Sequence, residues 1–238
     1  MARQMVAPES EKKIENMFDR IAPTYDLLNR LLSARQDERW RKKLLSWIPR
    51  VSKGSYLDVA TGTGDVVLRA RKNLSTYERF DAVDLSSEML SIAEKKAGAK
   101  EITDITFKQM SAESLRFEDK SFDCVSISFG LRNVVNKEKA IGEFSRVLKR
   151  GGVLLVLEFF PANRGLMSAL FQFYFNKILP IIGSLISDKE AYHYLPKSVG
   201  SFYSIVDFKD RCSKEGLVVT DIKDYLFGSC RLVKAVKK

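Results

Sequence analysis

Three short stretches of this chain put polar residues where a ligand could use them. The first is "LDVATGTGD", Leu57 to Asp65. Its Gly62 and Gly64 permit a tight turn and let a ligand approach backbone amides at the start of a helix, with Asp58 just upstream. The second is Asp84, at the end of the next apolar run, an acid suited to accept hydrogen bonds from both hydroxyls of a ribose. The third is Ser111-Ala112 in "QMSAESL", a hydroxyl and a backbone amide that could meet an adenine edge. A glycine-rich loop followed by an acid indicates a nucleoside cofactor. The dinucleotide fingerprint would require a third glycine at Val67, and no G-x-x-x-x-G-K-[ST] phosphate loop occurs. A nucleoside without a pyrophosphate fits, and S-adenosylmethionine is the cofactor expected.

A further stretch, "SISFGLRNV", Ser126 to Val134, ends an apolar run with Arg132 and Asn133 side by side. Such groups are seldom left at the end of a buried strand without partners. They imply an oxyanion to be held, or an acid such as Asp26 or Glu158 with which Arg132 pairs to hold the loop.

The elements that must position these residues follow from periodicity. In "SEKKIENMFDRIA", Ile14, Met17, Phe18 and Ile21 share one helical face, and Pro23 is expected to stop the run. In "RWRKKLLSWIP", Trp40, Leu44, Trp47 and Ile48 form a face that packs on its own domain or, less favoured, on a membrane surface. From Tyr56 onward short apolar strands alternate with helices, the last of which, "KEKAIGEFSRVLKRGG", is expected to end at its glycine pair. Strands separated by such helices give right-handed βαβ units and a parallel sheet covered on both faces. The chain end, "GLVVTDIKDYLFGSCRLVKAVKK", reads as an antiparallel hairpin around Gly228-Ser229. The expected fold is therefore α/β, doubly wound and Rossmann-like, with a helical cap over residues 1–50, a core over 51–238 and an inserted apolar lid over 161–206. Within that lid, Gly165 to Ser187 carries Lys177 as its only charge, but polar and helix-breaking residues interrupt it as a membrane span.

Composition narrows the rest. The 238 residues, 45% hydrophobic and 29% charged, suit a globular chain with a real core. Cys124, Cys212 and Cys230 have no metal spacing, and His193 is the only histidine, so no metal site is expected. The first residues, "MARQMVAPESEKK", lack the apolar core of a secretory signal, so a cytoplasmic protein is expected. Net charge +10 points to nucleic acid or to an anionic membrane surface. A nucleic-acid methyltransferase and a cofactor-binding regulator are alternatives. The first lacks the N-P-P-[YF] motif, and the second leaves Arg132 and Asn133 unexplained.

Nearly the whole chain resembles the quinone-ring C-methyltransferases of menaquinone and ubiquinone biosynthesis. The resemblance rests on "YDLLNRLLSARQDERWR" (Tyr25 to Arg41), "FGLRNV" (Phe129 to Val134) and "RVLKRGGVLLVLEF" (Arg146 to Phe159). Asp37 stands where the family usually carries histidine. The resemblance implies a class I S-adenosylmethionine-dependent methyltransferase with cofactor contacts at Thr63, Asp84, Ser111, Ala112 and Ser128, and a polyprenylated quinol as substrate. Methyl transfer to a ring carbon needs a phenolate, so Arg132 and Asn133 are expected to donate hydrogen bonds to its oxygen. Tyr25, Asp26, Asp37, His193 and water held by Arg132 all remain candidates for the base. The lid would then cradle the isoprenoid tail, and the basic surface would keep the enzyme at the inner face of the cell membrane, with no nucleic acid bound.

Overall fold

The computed structural model describes residues 10–161 and 189–238. The apolar segment Gly165 to Ser187 lies outside them. Among the described residues seven strands form one sheet in the order β3-β2-β1-β4-β5-β7-β6. β1 (Gly54–Val59), β2 (Tyr77–Asp84), β3 (Ile105–Gln109), β4 (Phe122–Ser128) and β5 (Leu148–Phe159) run parallel. β7 (Cys230–Lys237) returns antiparallel to β5 and to β6 (Leu217–Tyr225), which is the expected hairpin. Alternation along each strand sends neighbours to opposite faces. Leu57, Val125, Leu154 and Val156 join one core with α5 (Lys137–Val147). Tyr56, Cys124, Val153 and Leu155 join the other with α2 (Gln36–Leu45) and α3 (Asp65–Asn73).

Trp40, Leu44 and Ile48 are buried in that second core, so α2 packs its apolar face on its own domain. Two boundaries differ from the sequence expectation. Pro23 does not stop the first helix, because α1 runs from Glu11 to Leu32 with the proline inside it. A proline in a helix interior costs about 3 kcal/mol. Tertiary contacts on both sides of it, through Asp19 and Asp26, offset that cost. Nor does the glycine pair end α5. The helix stops at Val147, and Gly151-Gly152 lie inside β5, where the register against β4 shifts between Phe122 and Cys124. A Cβ on Gly152 would sit 2.8 Å from the Lys149 carbonyl oxygen, so the bulge requires glycine there. Two further helices, α6 (Lys189–Gly200) and α7 (Ile205–Lys214), precede the hairpin. α6 packs against α1 and against the single turn of 3₁₀ helix at Leu131–Asn133.

Candidate active site

β1 delivers the glycine loop. Past Val59 the backbone turns at Ala60 (φ 50), Gly62 (φ 56) and Gly64 (φ 80) before α3 begins. Gly62 donates its N–H to Oδ2 of Asp84 at 2.7 Å, and Ser86 donates its N–H to Oδ1 at 2.9 Å. Asp84 thus ends β2 as a half-buried carboxylate. Burial pushes its pKa up, and the amides of Ser86, Gly62 and Leu85 pull it back. Gly64 serves packing: a Cβ there would lie 3.0 Å from that of Ala93 on α4 (Ser87–Gly98).

Asp84 and Gly62 line a cleft of about 690 Å³, part of it open to solvent. Ser111, Ala112 and Ser128 line it as expected, together with Asn133 and Tyr25. Asp58, Thr63 and Gly64 do not. Asp58 lies beneath the loop, where Thr61 Oγ1 donates to its Oδ2 (2.7 Å) and Ser126 Oγ to its Oδ1 (2.5 Å). Burial raises this carboxyl to about 6 against the pull of both hydroxyls. The Thr63 hydroxyl donates to Asp26 Oδ1 at 2.6 Å. Asp58 and Gly64 shape the loop from behind, and Thr63 ties it to α1.

β4 delivers the arginine and the asparagine, but to different places. After Ser128 the chain passes through Phe129 (φ 58) into the 3₁₀ turn. A Cβ on Gly130 would fall 2.5 Å from that of Ala60, so the β1 and β4 loops touch only because that residue is glycine. Arg132 is outside the cleft lining. Its Nη1 donates to Glu158 Oε1 and to the Phe129 carbonyl, each at 2.6 Å, while its backbone N–H donates to Glu158 Oε2 at 3.1 Å. Glu158 is fully buried, so a neutralising partner is mandatory. Nη1 is thus held by Glu158, while Nε is buried with no hydrogen-bond partner among the described residues, so the direct phenolate contact expected of Arg132 is not through Nη1. Phe129 and Phe159, 5.1 Å apart, and Trp40 pack beside this pair. Asn133 does line the cleft. Its Nδ2 donates to the Phe129 carbonyl at 3.3 Å, and its buried Oδ1 has no hydrogen-bond partner among the described residues. The amide therefore offers an unpartnered acceptor, and its Nδ2 keeps a second N–H beside the one given to Phe129.

The base candidates separate as well. Tyr25 lines the cleft, its phenol raised by burial, against the opposing pull of Arg41, Arg132 and a hydrogen bond with Asn29. Asp26 is outside the lining, bonded to Lys96 and Thr63. Asp37 is also removed from the base candidates. It is buried, accepting from Ser33 Oγ and from Arg41 Nη1, each at 2.7 Å, and Arg41 reaches on to Asp65 at 3.3 Å. The side chain of His193 lies outside the described residues. Residues that sequence reasoning missed come from α1, from the ends of β2 and β3 and from the first turn of α4: Glu11, Ile14, Phe18, Leu85, Met110 and Met89. The helical period of Ile14 and Phe18 marked an apolar face, but not that this face roofs a cleft.

The fit to S-adenosylmethionine can be tested on a polar atom. Ser128 Oγ is buried in the cleft wall and has no partner among the described residues, a costly arrangement unless a ligand supplies one. With the Asp84 carboxylate and the Gly62 turn on the same cleft, the residues present fit the cofactor.

Comparison with known proteins agrees. Among solved structures, the [4+2]-cyclase SpnF superposes with a TM-score of 0.72 at 18% identity, covering 98% of this chain and 97% of that one. A geranyl diphosphate methyltransferase solved with GPP and sinefungin gives 0.64 at 14% identity, covering 84% of this chain and 78% of that one. These show the class I methyltransferase fold. The C-methyltransferase UbiE of ubiquinone/menaquinone biosynthesis from Geobacter sulfurreducens is 41% identical over 221 residues, 92% of this chain and 86% of that protein. A demethylmenaquinone methyltransferase of Bacteroides fragilis is 35% identical over 231 residues, 96% of this chain and 94% of that protein. The profile of one family spans residues 6–237, and with these identities over nearly the full length the chain belongs to the ubiE/COQ5 methyltransferase family.

Proposed function

We propose that this chain methylates a ring carbon of a polyprenylated quinol in the formation of menaquinone, ubiquinone or both. S-adenosylmethionine is its cofactor, and when bound it supplies an electrophilic methyl group. Asp84, Gly62, Ser111, Ala112 and Ser128 would hold it. The observation that carries the reading is the pair Ser128 Oγ and Asn133 Oδ1. Both are buried, both lack a partner among the described residues, and both line one cleft five residues apart in the chain. The first suits the cofactor. The second suits a quinol hydroxyl, whose hydrogen it would accept, turning the adjacent ring carbon toward the methyl group.

Loss of that hydroxyl's proton to water makes the adjacent ring carbon nucleophilic, and after methyl transfer the ring proton leaves to water as well; a phenol resists the first step near neutral pH. Arg132 supports it through space. With Arg41 it lowers the Tyr25 phenol against burial, and a quinol beside Tyr25 would feel the same positive field. Attachment to anionic headgroups at the inner face of the membrane is part of the proposal. It is supported by the net charge of +10. Among the described residues no helix is long and apolar enough to cross a membrane. The test is incorporation of label from methyl-labelled S-adenosylmethionine into demethylmenaquinol and the corresponding benzoquinol, each kept reduced. Product from either supports the reading, and no product from both with active cofactor binding refutes it.

A further inference from the structure

Acidic residues on α1 fall at positions 11, 15, 19 and 26, along one narrow stripe of a 3.6-residue helix. Each meets the carboxyl edge of the sheet at a different place. Glu11 accepts from the hydroxyl of Ser111, in the loop after β3. Glu15 accepts from Gln109 Nε2 at 3.3 Å, at the last residue of β3. Asp19 accepts from Ser86 Oγ at 2.5 Å, in the loop after β2. Asp26 accepts from Thr63 Oγ1 at 2.6 Å, in the loop after β1, and pairs with Lys96.

The three hydroxyls share one arrangement. Ser86 accepts the Met89 N–H at 3.1 Å as the cap of α4, Ser111 accepts the Glu113 N–H at 3.1 Å, and Thr63 accepts from Lys96 at 3.0 Å. A hydroxyl has a single hydrogen. In every case that hydrogen points at an acid of α1. The neighbouring stripe of the same helix, Ile14, Phe18 and Tyr25, roofs the cleft. One helix therefore covers the site while its acidic edge fastens it to the three loops that build the site.

We infer that α1 is a strap over the cofactor cleft, and that Glu11, Asp19 and Asp26 are positioning residues for S-adenosylmethionine. The stepwise acids hold the loops after β3, β2 and β1 in one register, and cofactor exchange proceeds when these contacts let go. Lys96 strengthens the last fastening, because it joins Asp26 to Asp65 at 3.0 Å as well as to Thr63. The inference rests on the cofactor assignment and not on the acceptor, and binding of S-adenosylhomocysteine to the unaltered chain tests that assignment separately.

The experiment is a radiolabelled S-adenosylhomocysteine chase on the full chain carrying Asp19→Ala and Asp26→Ala, with far-UV circular dichroism to verify folding. Dissociation should quicken at least tenfold, and KM for S-adenosylmethionine should rise while KM for the quinol holds. Asp19→Asn, which keeps an acceptor for the Ser86 hydroxyl, should restore most of the loss that Asp19→Ala causes alone. In the unaltered chain, S-adenosylhomocysteine should slow hydrogen exchange of α1 amides. A folded double variant that releases the ligand at the unaltered rate overturns the inference. So does an α1 whose exchange ignores the ligand, or a variant in which both KM values and thermal stability shift together.

Discussion

Replacing Arg132 by alanine should unfold the protein sooner and empty the site of affinity, not merely slow the chemistry. The substitution removes both Nη1 hydrogen bonds of 2.6 Å and leaves Glu158, which has no exposed surface, without its counter-charge. Breaking a buried pair from one side typically costs about 3–5 kcal/mol. For a chain of this size that is a fall in Tm of roughly 6–20 °C. The Arg132 backbone N–H can still reach Glu158, but the turn that carries Asn133 loses its tether to β5. Cofactor binding should therefore weaken along with activity. Arg132→Ala combined with Glu158→Ala should recover part of the stability, because no unpaired charge remains buried. Calorimetry gives Tm, titration of S-adenosylmethionine gives affinity, and single-turnover assays give the transfer rate. An Arg132→Ala protein with unaltered Tm and cofactor affinity but transfer slowed a hundredfold or more would refute the argument, and would return Arg132 to direct contact with the substrate oxygen.

Ser128→Ala should leave stability within about 0.5 kcal/mol, since its hydroxyl has no protein partner to lose, yet weaken S-adenosylmethionine binding by about 1 kcal/mol in calorimetry. Asp58 adds a pH dependence. Its folded pKa, raised from 3.8 to about 6, favours the protonated form in the fold, a contribution complete below 3.8 and lost as pH rises through 6. Relative to Asp58→Asn, the unaltered protein should therefore gain about 2 kcal/mol between about pH 8 and pH 4, read by denaturant unfolding at each pH. A constant difference would show that burial does not dominate at this carboxyl. Gly130→Ala should cost about 1–3 kcal/mol, because its Cβ would meet that of Ala60 at 2.5 Å; a neutral result in denaturant melts would mean the two loops part easily.

Local chemistry made much of this protein legible. The alternation of short apolar runs with helices specified the parallel sheet, since strand and helix periods are written in consecutive residues. The glycine turn, Asp84 and Ser111-Ala112 were legible for a related reason: in such sheets ligands meet the carboxyl ends of strands, and those ends can be found by counting. Tertiary structure decided what depends on partners distant in sequence. Of the two acids open to Arg132 in the sequence, Asp26 and Glu158, the pairing of β4 with β5 brought Glu158 to its Nη1. Pro23 carried a genuine stop signal, which contacts from Asp19 and Asp26 on either side of it outweighed. Asp58 and Thr63 sit in the binding motif yet turn toward Ser126 and Asp26, because a motif fixes where a residue lies along the loop but not which way its side chain finds a partner. The acids of α1 at 11, 15 and 19 lie on one helical stripe, which the reading of the apolar period passed over. Which surface that stripe fastens was settled only when the helix came to lie across the loops after β3, β2 and β1.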